Sequence, residues 1–253
     1  MLTDTLHLFH KYLIISLRTP LWSLFNLIQP LIWLIIFGQL FGRMAQLPGF
    51  PADSYVAFFV PGVVIMTVLF GSSWSGVSLL REINSGAVDK MLVAPIHRAS
   101  IVLSRVLHSA IQVLAQSLII IIVSAFFGAE LFFNVFNALL GLIIIVAMGV
   151  GFAALSNGLA IVLQREEPLV VMGNLMTLPL MFFSSALVPK EFMPGWISAI
   201  TNINPVHYGV EGVRGAFFAA QTFGSLLTNT AVAIAFAVIA LFWAVSAFNR
   251  LRE

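Results

Sequence analysis

The sequence predicts an all-α membrane protein with six transmembrane helices. Three observations carry this reading. Of the 253 residues, 60% are hydrophobic and only 9% are charged, where soluble domains are about a quarter charged and roughly half apolar. Six apolar segments are each of about the length a helix needs to cross a bilayer. The charges fall in short stretches between those segments, and mean hydropathy is +1.04. The length suits one membrane domain, 1–253, with no sizeable soluble one beside it. An isoelectric point near 9.3 comes with a net charge of only +2 and no basic cluster, so nucleic acid is not expected as a partner. The chain has 0 cysteines, which excludes disulfides, thiolate metal sites and cysteine nucleophiles.

In residues 1–19, Leu2, Leu6, Phe9, Leu13 and Leu17 recur every three or four positions, with Asp4, His7, His10, Lys11 and Arg18 between them. This is an amphipathic helix, too charged to span and suited to the headgroup plane. The same charges interrupt any short apolar core of a cleaved signal peptide. The first span is predicted at 21–41, with a kink at Pro30. Pro48, Gly49 and Pro51 mark a turn, and the second span follows at 55–80. It carries Pro61-Gly62 early and a small-residue patch, Gly71–Gly76, that favours close helix packing.

The third span is predicted at 101–127, with Arg105 and His108 in its first two turns, where long side chains can reach headgroups. The fourth, 133–163, pairs small residues four apart: Ala147 with Gly151, Gly149 with Ala153, Ala154 with Gly158. That pattern predicts another close helix contact. Gln164 to Pro168 reads as a polar turn, and the fifth span follows at 169–187. Between 188 and 222, prolines at 189, 194 and 205 and the charges Glu211 and Arg214 argue against a full crossing. A charge at mid-bilayer costs about 2.5–3.5 kcal/mol even on lenient scales, so two short helices dipping into the interface are predicted. The last span is 223–248.

Six spans put both termini on one side. With the termini inside, Lys11, Arg18, Arg81, Lys90, Arg98, Arg105, Arg165, Arg250 and Arg252 are cytoplasmic, nine of the 12 Lys and Arg. Arg43, Lys190 and Arg214 fall outside, in agreement with the positive-inside rule. The polar stretch Arg81–Arg105 is therefore cytoplasmic.

No predicted span carries a charge near its centre, which argues against an ion-coupled carrier. Paired aspartates, HExxH and a Gly-x-Ser-Gly nucleophile do not occur, and the five histidines have no ligand spacing, so no catalytic residue and no metal site is expected. A P-loop is also absent, so any ATP driving transport would be bound by another chain. The 81–105 stretch has the build for docking such a chain. Ile83, Ala87, Val88, Met91 and Leu92 share one helical face, while Glu82, Asp89 and Lys90 lie elsewhere and Pro95 stops the helix. A solvated loop that only satisfies topology is the competing reading.

Three blocks carry a family resemblance: YVAFFVPGVVIM at Tyr55–Met66, REINSGAVDKMLVAPIHRASIVLSRVL at Arg81–Leu107, and NPVHYGVEGVRG at Asn204–Gly215. In this order and spacing the chain resembles the permease subunit of type-2 ABC exporters, which move drugs, polysaccharides or lipids. The resemblance implies that 1–19 is an elbow helix, 82–94 a coupling helix seated in the ATPase, and 189–216 a pair of re-entrant outer helices. It further implies a homodimer of permease chains working with two P-loop ATPases. ATP and Mg would be held by those partners, with no cofactor in this chain, and the location would be the bacterial inner membrane. Glu82, Gly86, Asp89, Leu92 and Pro95, with Arg81, Lys90 and Met91 beside them, would form the coupling contact. Arg81 and Arg98 would anchor it to lipid phosphates or to the partner.

The cargo path is less defined by the residues. Asn26, Gln29, Thr67, Ser73, Asn174 and Thr177 could line a route between two chains or could hydrogen-bond between helices. A membrane assembly subunit that recruits a partner without transporting is the alternative function.

Overall fold

The computed structural model describes residues 2–52, 54–93, 96–132, 134–218 and 222–250. Among them the secondary structure is helical, with no strand. The elements are α1 (Leu2–Arg18), α2 (Pro20–Leu40), α3 (Tyr55–Asn84), α4 (Ala87–Val93), α5 (Arg98–Phe126), α6 (Val135–Leu163), α7 (Glu166–Phe182), α8 (Gly195–Thr201), α9 (Pro205–Phe217) and α10 (Phe223–Arg250), with 3-10 turns at Gly42–Gln46 and Lys190–Phe192.

Four of the described helices are long and apolar enough to cross a membrane: α3, and the stretches Ala99–Phe126, Val135–Leu163 and Phe223–Asn249. The segments predicted as the first and fifth spans are α2 and α7. Helix α7 has 17 residues and opens with Glu166 and Glu167 in its first turn. At 1.5 Å per residue it reaches about 26 Å, slightly under the roughly 30 Å of hydrocarbon. The predicted polar turn is shorter than expected, because Glu166 and Pro168 already belong to α7; both residue types suit a helix N-terminus.

Helices α3 and α6 sit at the centre. Phe58, Phe59, Val63, Val64, Ile65 and Leu69 of α3 pack with Ile144, Ile145 and Met148 of α6 in the main core. The small residues of α6 do what their spacing predicts. A Cβ on Gly158 or Gly151 would strike the rings of Trp243 and Phe236 on α10. One on Gly149 would lie 2.8 Å from Val113 on α5. The Gly71–Gly76 patch likewise serves packing. Ser72 donates to the Gly149 carbonyl at 3.3 Å, Ser156 donates to the Ser73 carbonyl at 2.5 Å, and Asn157 donates to Ser75 at 2.9 Å.

Two boundaries differ from expectation in ways that matter for the site. Helix α3 runs through Asn84, so Glu82 belongs to its last turn. The predicted helix over 82–94 is thus divided, and α4 covers only Ala87–Val93. The cause is Gly86, whose φ of +70° is left-handed and ends α3 as glycine commonly ends helices. Ala94 and Pro95, the predicted stop, lie outside the described residues. In α1, Leu8 and Tyr12 are the buried residues together with Thr5, while the predicted stripe residues Leu2, Leu6 and Leu17 stay exposed.

Candidate functional site

The C-terminal end of α3 gathers charged and polar side chains from three helices. Gly86 turns the chain so that α4 packs back against α3. Val88 is buried there, in a cluster with Leu8, Tyr12, Ile101 and Ile161 and with Met91 packed on its edge. Asp89, Lys90 and Val93 remain exposed. A helix of 7 residues is too short to be stable alone, so its orientation is set by this anchoring. Its position is therefore set by the residues around the buried Val88.

Those residues are braced by a charged cluster. Glu82 forms an ion pair with Arg105 of α5, whose side chain is 4% exposed against 22% for Glu82. Arg105 also lies over the Tyr12 ring at 4.8 Å, and the Tyr12 hydroxyl donates to Glu82 Oε2 at 3.1 Å. Burial pushes the Tyr12 phenol up to about 12, with the adjacent carboxylate adding to the rise and Arg105 opposing it. Three helices thus meet at one carboxylate. Nearby, Ser16 and His108 Nε2 are 2.8 Å apart, and the His97 amide donates to Asp4 at 3.4 Å. Arg105 therefore does not reach for headgroups as its position suggested; a buried guanidinium needs a counterion, and Glu82 supplies it. Arg81 points outward and pairs with Glu166 of α7 at 3.2 Å, both side chains well exposed.

Within the membrane helices, the six polar residues predicted for a cargo path divide between two clefts on either side of α3. Asn26, Gln29 and Thr67 face one cleft together with Gln116 of α5. Ser73, Asn174 and Thr177 face the other, between α3, α6 and α7. Trp74 lines both. The hydroxyls of Thr67 and Ser73 donate to the Val63 and Leu69 carbonyls of their own helix, at 2.9 and 2.8 Å.

At the opposite end, α9 is almost wholly buried. Arg214 pairs with Glu211, donates to the carbonyls of Phe58 at 3.1 Å and Ser185 at 2.9 Å, and lies 4.1 Å from the Phe58 ring. Asn204 caps α9 by accepting from the Val206 amide at 2.9 Å, and its own amide donates to the carbonyls of Leu180 and Phe183. The Ser184–Ala186 turn can lie this close to α3 because Gly62 has no side chain; a Cβ there would sit 2.5 Å from the Ala186 carbonyl. Two short helices, α8 and α9, occupy this region. The charges that argued against a crossing are paired with each other and with backbone.

Of the predicted coupling residues, Asp89 and Lys90 share the exposed part of α4, Met91 helps anchor it, Gly86 forms the turn, and Glu82 faces inward. Leu92 lies in α4 and Arg98 opens α5. Gln116, Trp74 and Tyr12 were not singled out from the sequence. Gln116 was visible as a carboxamide in a run of apolar residues, Trp74 as a large ring inside a small-residue patch. Nothing in the spacing joined Tyr12 to a carboxylate 70 residues away.

The description ABC-2 type transporter matches residues 3–218. Over 208 residues the chain is 32% identical to ycf38 of Cyanophora paradoxa, a transport permease by name, covering 81% of this chain and 71% of that one. It is 26% identical over 194 residues to the daunorubicin resistance ABC transporter permease protein DrrB1 of Streptomyces coeruleorubidus, 74% of this chain and 65% of that one. The inner membrane transport permease YadH of Escherichia coli is 25% identical over 241 residues, 90% of this chain and 86% of that one. The chain belongs to the ABC-2 type transporter family and is a multi-pass membrane permease of the ABC class.

Proposed function

We propose that this permease is the membrane subunit of an ATP-driven exporter, working with a second copy of itself and with separate P-loop ATPase subunits that bind ATP and Mg. In this reading α2 and α7 complete six crossings, both termini are cytoplasmic, and the membrane is the bacterial inner membrane. Helix α1 is the elbow, α4 the coupling helix, and α8 with α9 the re-entrant outer pair. The supporting observation is the build of α4. It hangs from α3 through the left-handed Gly86, buries Val88 in the bundle, and leaves Asp89, Lys90 and Val93 uncovered. A partner that grips this face moves α3 and, through Glu82, α5 and α1 as well. The cargo is drug-like, lipid or glycan, in keeping with the resistance permease among the relatives.

The test is reconstitution of the permease with its cognate ATPase, followed by the charge exchange Asp89→Lys with Lys90→Glu. The expected result is an assembled membrane domain with ATP-dependent transport reduced at least tenfold and ATP hydrolysis uncoupled from it. Undiminished transport would remove α4 as the coupling element. Capture of an ATPase without transport would indicate an assembly subunit, and transport that collapses with the proton gradient at constant ATP would indicate a carrier.

A further inference from the structure

The cleft between α2, α3 and α5 holds more polar groups than helix packing uses. Three carboxamides converge on it: Asn26 and Gln29 from α2, and Gln116, 3% exposed, from α5. The carboxamides of Asn26 and Gln29 make no hydrogen bond among the described residues. Pro30 lies on the same turn of α2 and has no N–H, so the Asn26 carbonyl also loses its helical donor. Thr67 adds a hydroxyl oxygen from α3, its proton already given to Val63. Gly71 makes room for the Gln116 carboxamide, since a Cβ there would lie 3.3 Å from its Oε1. In hydrocarbon, polar groups of this kind are costly and tend to mark function.

The remaining walls define what would satisfy them. Trp33 and Trp74 line the same space, a cleft with a cavity volume of about 90 Å3. No charged side chain lines it among the described residues. Carboxamides offer donors and acceptors together, and indole rings favour a flat or ring-shaped partner. A charged headgroup would find no counterion here.

We infer that this cleft is a binding site for a neutral amphiphile bearing a hydroxylated ring, held by Asn26, Gln29 and Gln116 against the indoles of Trp33 and Trp74. It is separate from the α3–α6–α7 cleft and opens along α2, where Gln29 is exposed. Such a ring can arrive as the sugar headgroup of a membrane lipid or as a hydroxylated polycyclic aromatic from water. This inference deepens the export reading by naming a cargo class and rests on that reading for the step of transport. Binding itself needs neither ATP nor an ATPase.

The experiment uses the full permease alone in phosphatidylcholine nanodiscs. One arm titrates brominated monogalactosyl diacylglycerol and the other a neutral trihydroxyanthraquinone, each followed by quenching of tryptophan fluorescence. Brominated phosphatidylcholine and brominated phosphatidylglycerol serve as controls. Saturable quenching by at least one neutral probe, above both controls, is expected. Gln29→Leu should weaken it about tenfold, the factor for one lost hydrogen bond of ordinary strength. Asn174→Leu, in the other cleft, should leave it unchanged. Gln29 is exposed, so its substitution leaves the packed core intact; an unchanged melting temperature and elution profile verify this. Quenching no greater than by the controls, equal binding by Gln29→Leu, or equal loss in Asn174→Leu would each overturn the assignment. Transport assays are scored separately: binding without transport would refute the export reading and leave the site standing.

Discussion

Glu82→Gln is the sharpest probe of the brace around Arg105. The change keeps the shape of the side chain and removes its charge, leaving the Arg105 guanidinium, 4% exposed, without its counterion. Breaking a fully buried pair in this way costs about 3–5 kcal/mol. Glu82 is 22% exposed, so water can partly replace it, and about 2–3 kcal/mol is expected. The assay is equilibrium unfolding in mixed micelles for the parent, Glu82→Gln, Arg105→Met and the double variant. The double variant should be more stable than the sum of the two single losses predicts, because the uncompensated charge is then gone. A single-variant cost below about 0.5 kcal/mol is the value of an exposed pair. It would refute the claim that Glu82 is an internal brace and return it to the docking surface.

Other perturbations test neighbouring parts. The Tyr12 phenol is raised in the folded protein to about 12 from an ordinary 10. Its contribution to stability is full below pH 10 and lost as pH rises toward 12; the ultraviolet difference between parent and Tyr12→Phe should titrate near 12 and not near 10. Arg214→Met removes the partner of Glu211 and two backbone contacts. It should cost about 3–5 kcal/mol, with Glu211→Gln in the same chain recovering part of the loss in the unfolding midpoint. Gly86→Ala places a Cβ at φ +70° and should destabilise by about 1–2 kcal/mol. Because α4 is re-aimed, transport should fall more than the melting temperature indicates.

Much of the architecture was legible because it depends on one-dimensional quantities. Apolar length located the long helices, and small residues four apart on α6 marked the contacts made by Gly149, Gly151 and Gly158. Proline and charge between 188 and 222 marked a region that forms two short helices, α8 and α9. The details that escaped depend on which neighbour a face meets. Periodicity put Arg105 in the first turns of a span, where snorkelling is the default, but it could not show that Glu82 waits on the adjacent helix. The division at Gly86 was readable, since a glycine after the polar run Glu82-Ile83-Asn84-Ser85 is a helix-stop signal. The continuous apolar face of Ile83, Val88 and Met91 outweighed it. Gln116 escaped because one carboxamide in an apolar run acquires meaning only when Asn26 and Gln29 stand opposite.

Helix α3 joins all these features. Its N-terminal end is held by Arg214, its middle forms a wall of both clefts, and its C-terminal end carries Glu82 and the turn to α4. Where it can move is decided by how each neighbour is attached. Toward α6 it is bonded through Ser72, the Ser73 carbonyl and Ser75, to Gly149, Ser156 and Asn157. With the Gly76 amide donating to Ser156 Oγ at 3.1 Å as well, sliding along that seam would break four interhelical hydrogen bonds together. Toward α7 it faces a cleft and an exposed pair, Arg81 with Glu166, which holds little energy. A stroke delivered through α4 should therefore carry α3 and α6 as one body and change the α3–α7 spacing. With 0 cysteines in the chain, spin labels can be placed without background at the exposed positions Asn84, Val162 and Met172. In the reconstituted complex, the 84–162 distance should stay constant between nucleotide-free and ATP-bound states while the 84–172 distance shifts. A shift of similar size in 84–162 would mean that the serine seam gives way, and α3 would have to be treated as a sliding element rather than half of a rigid pair.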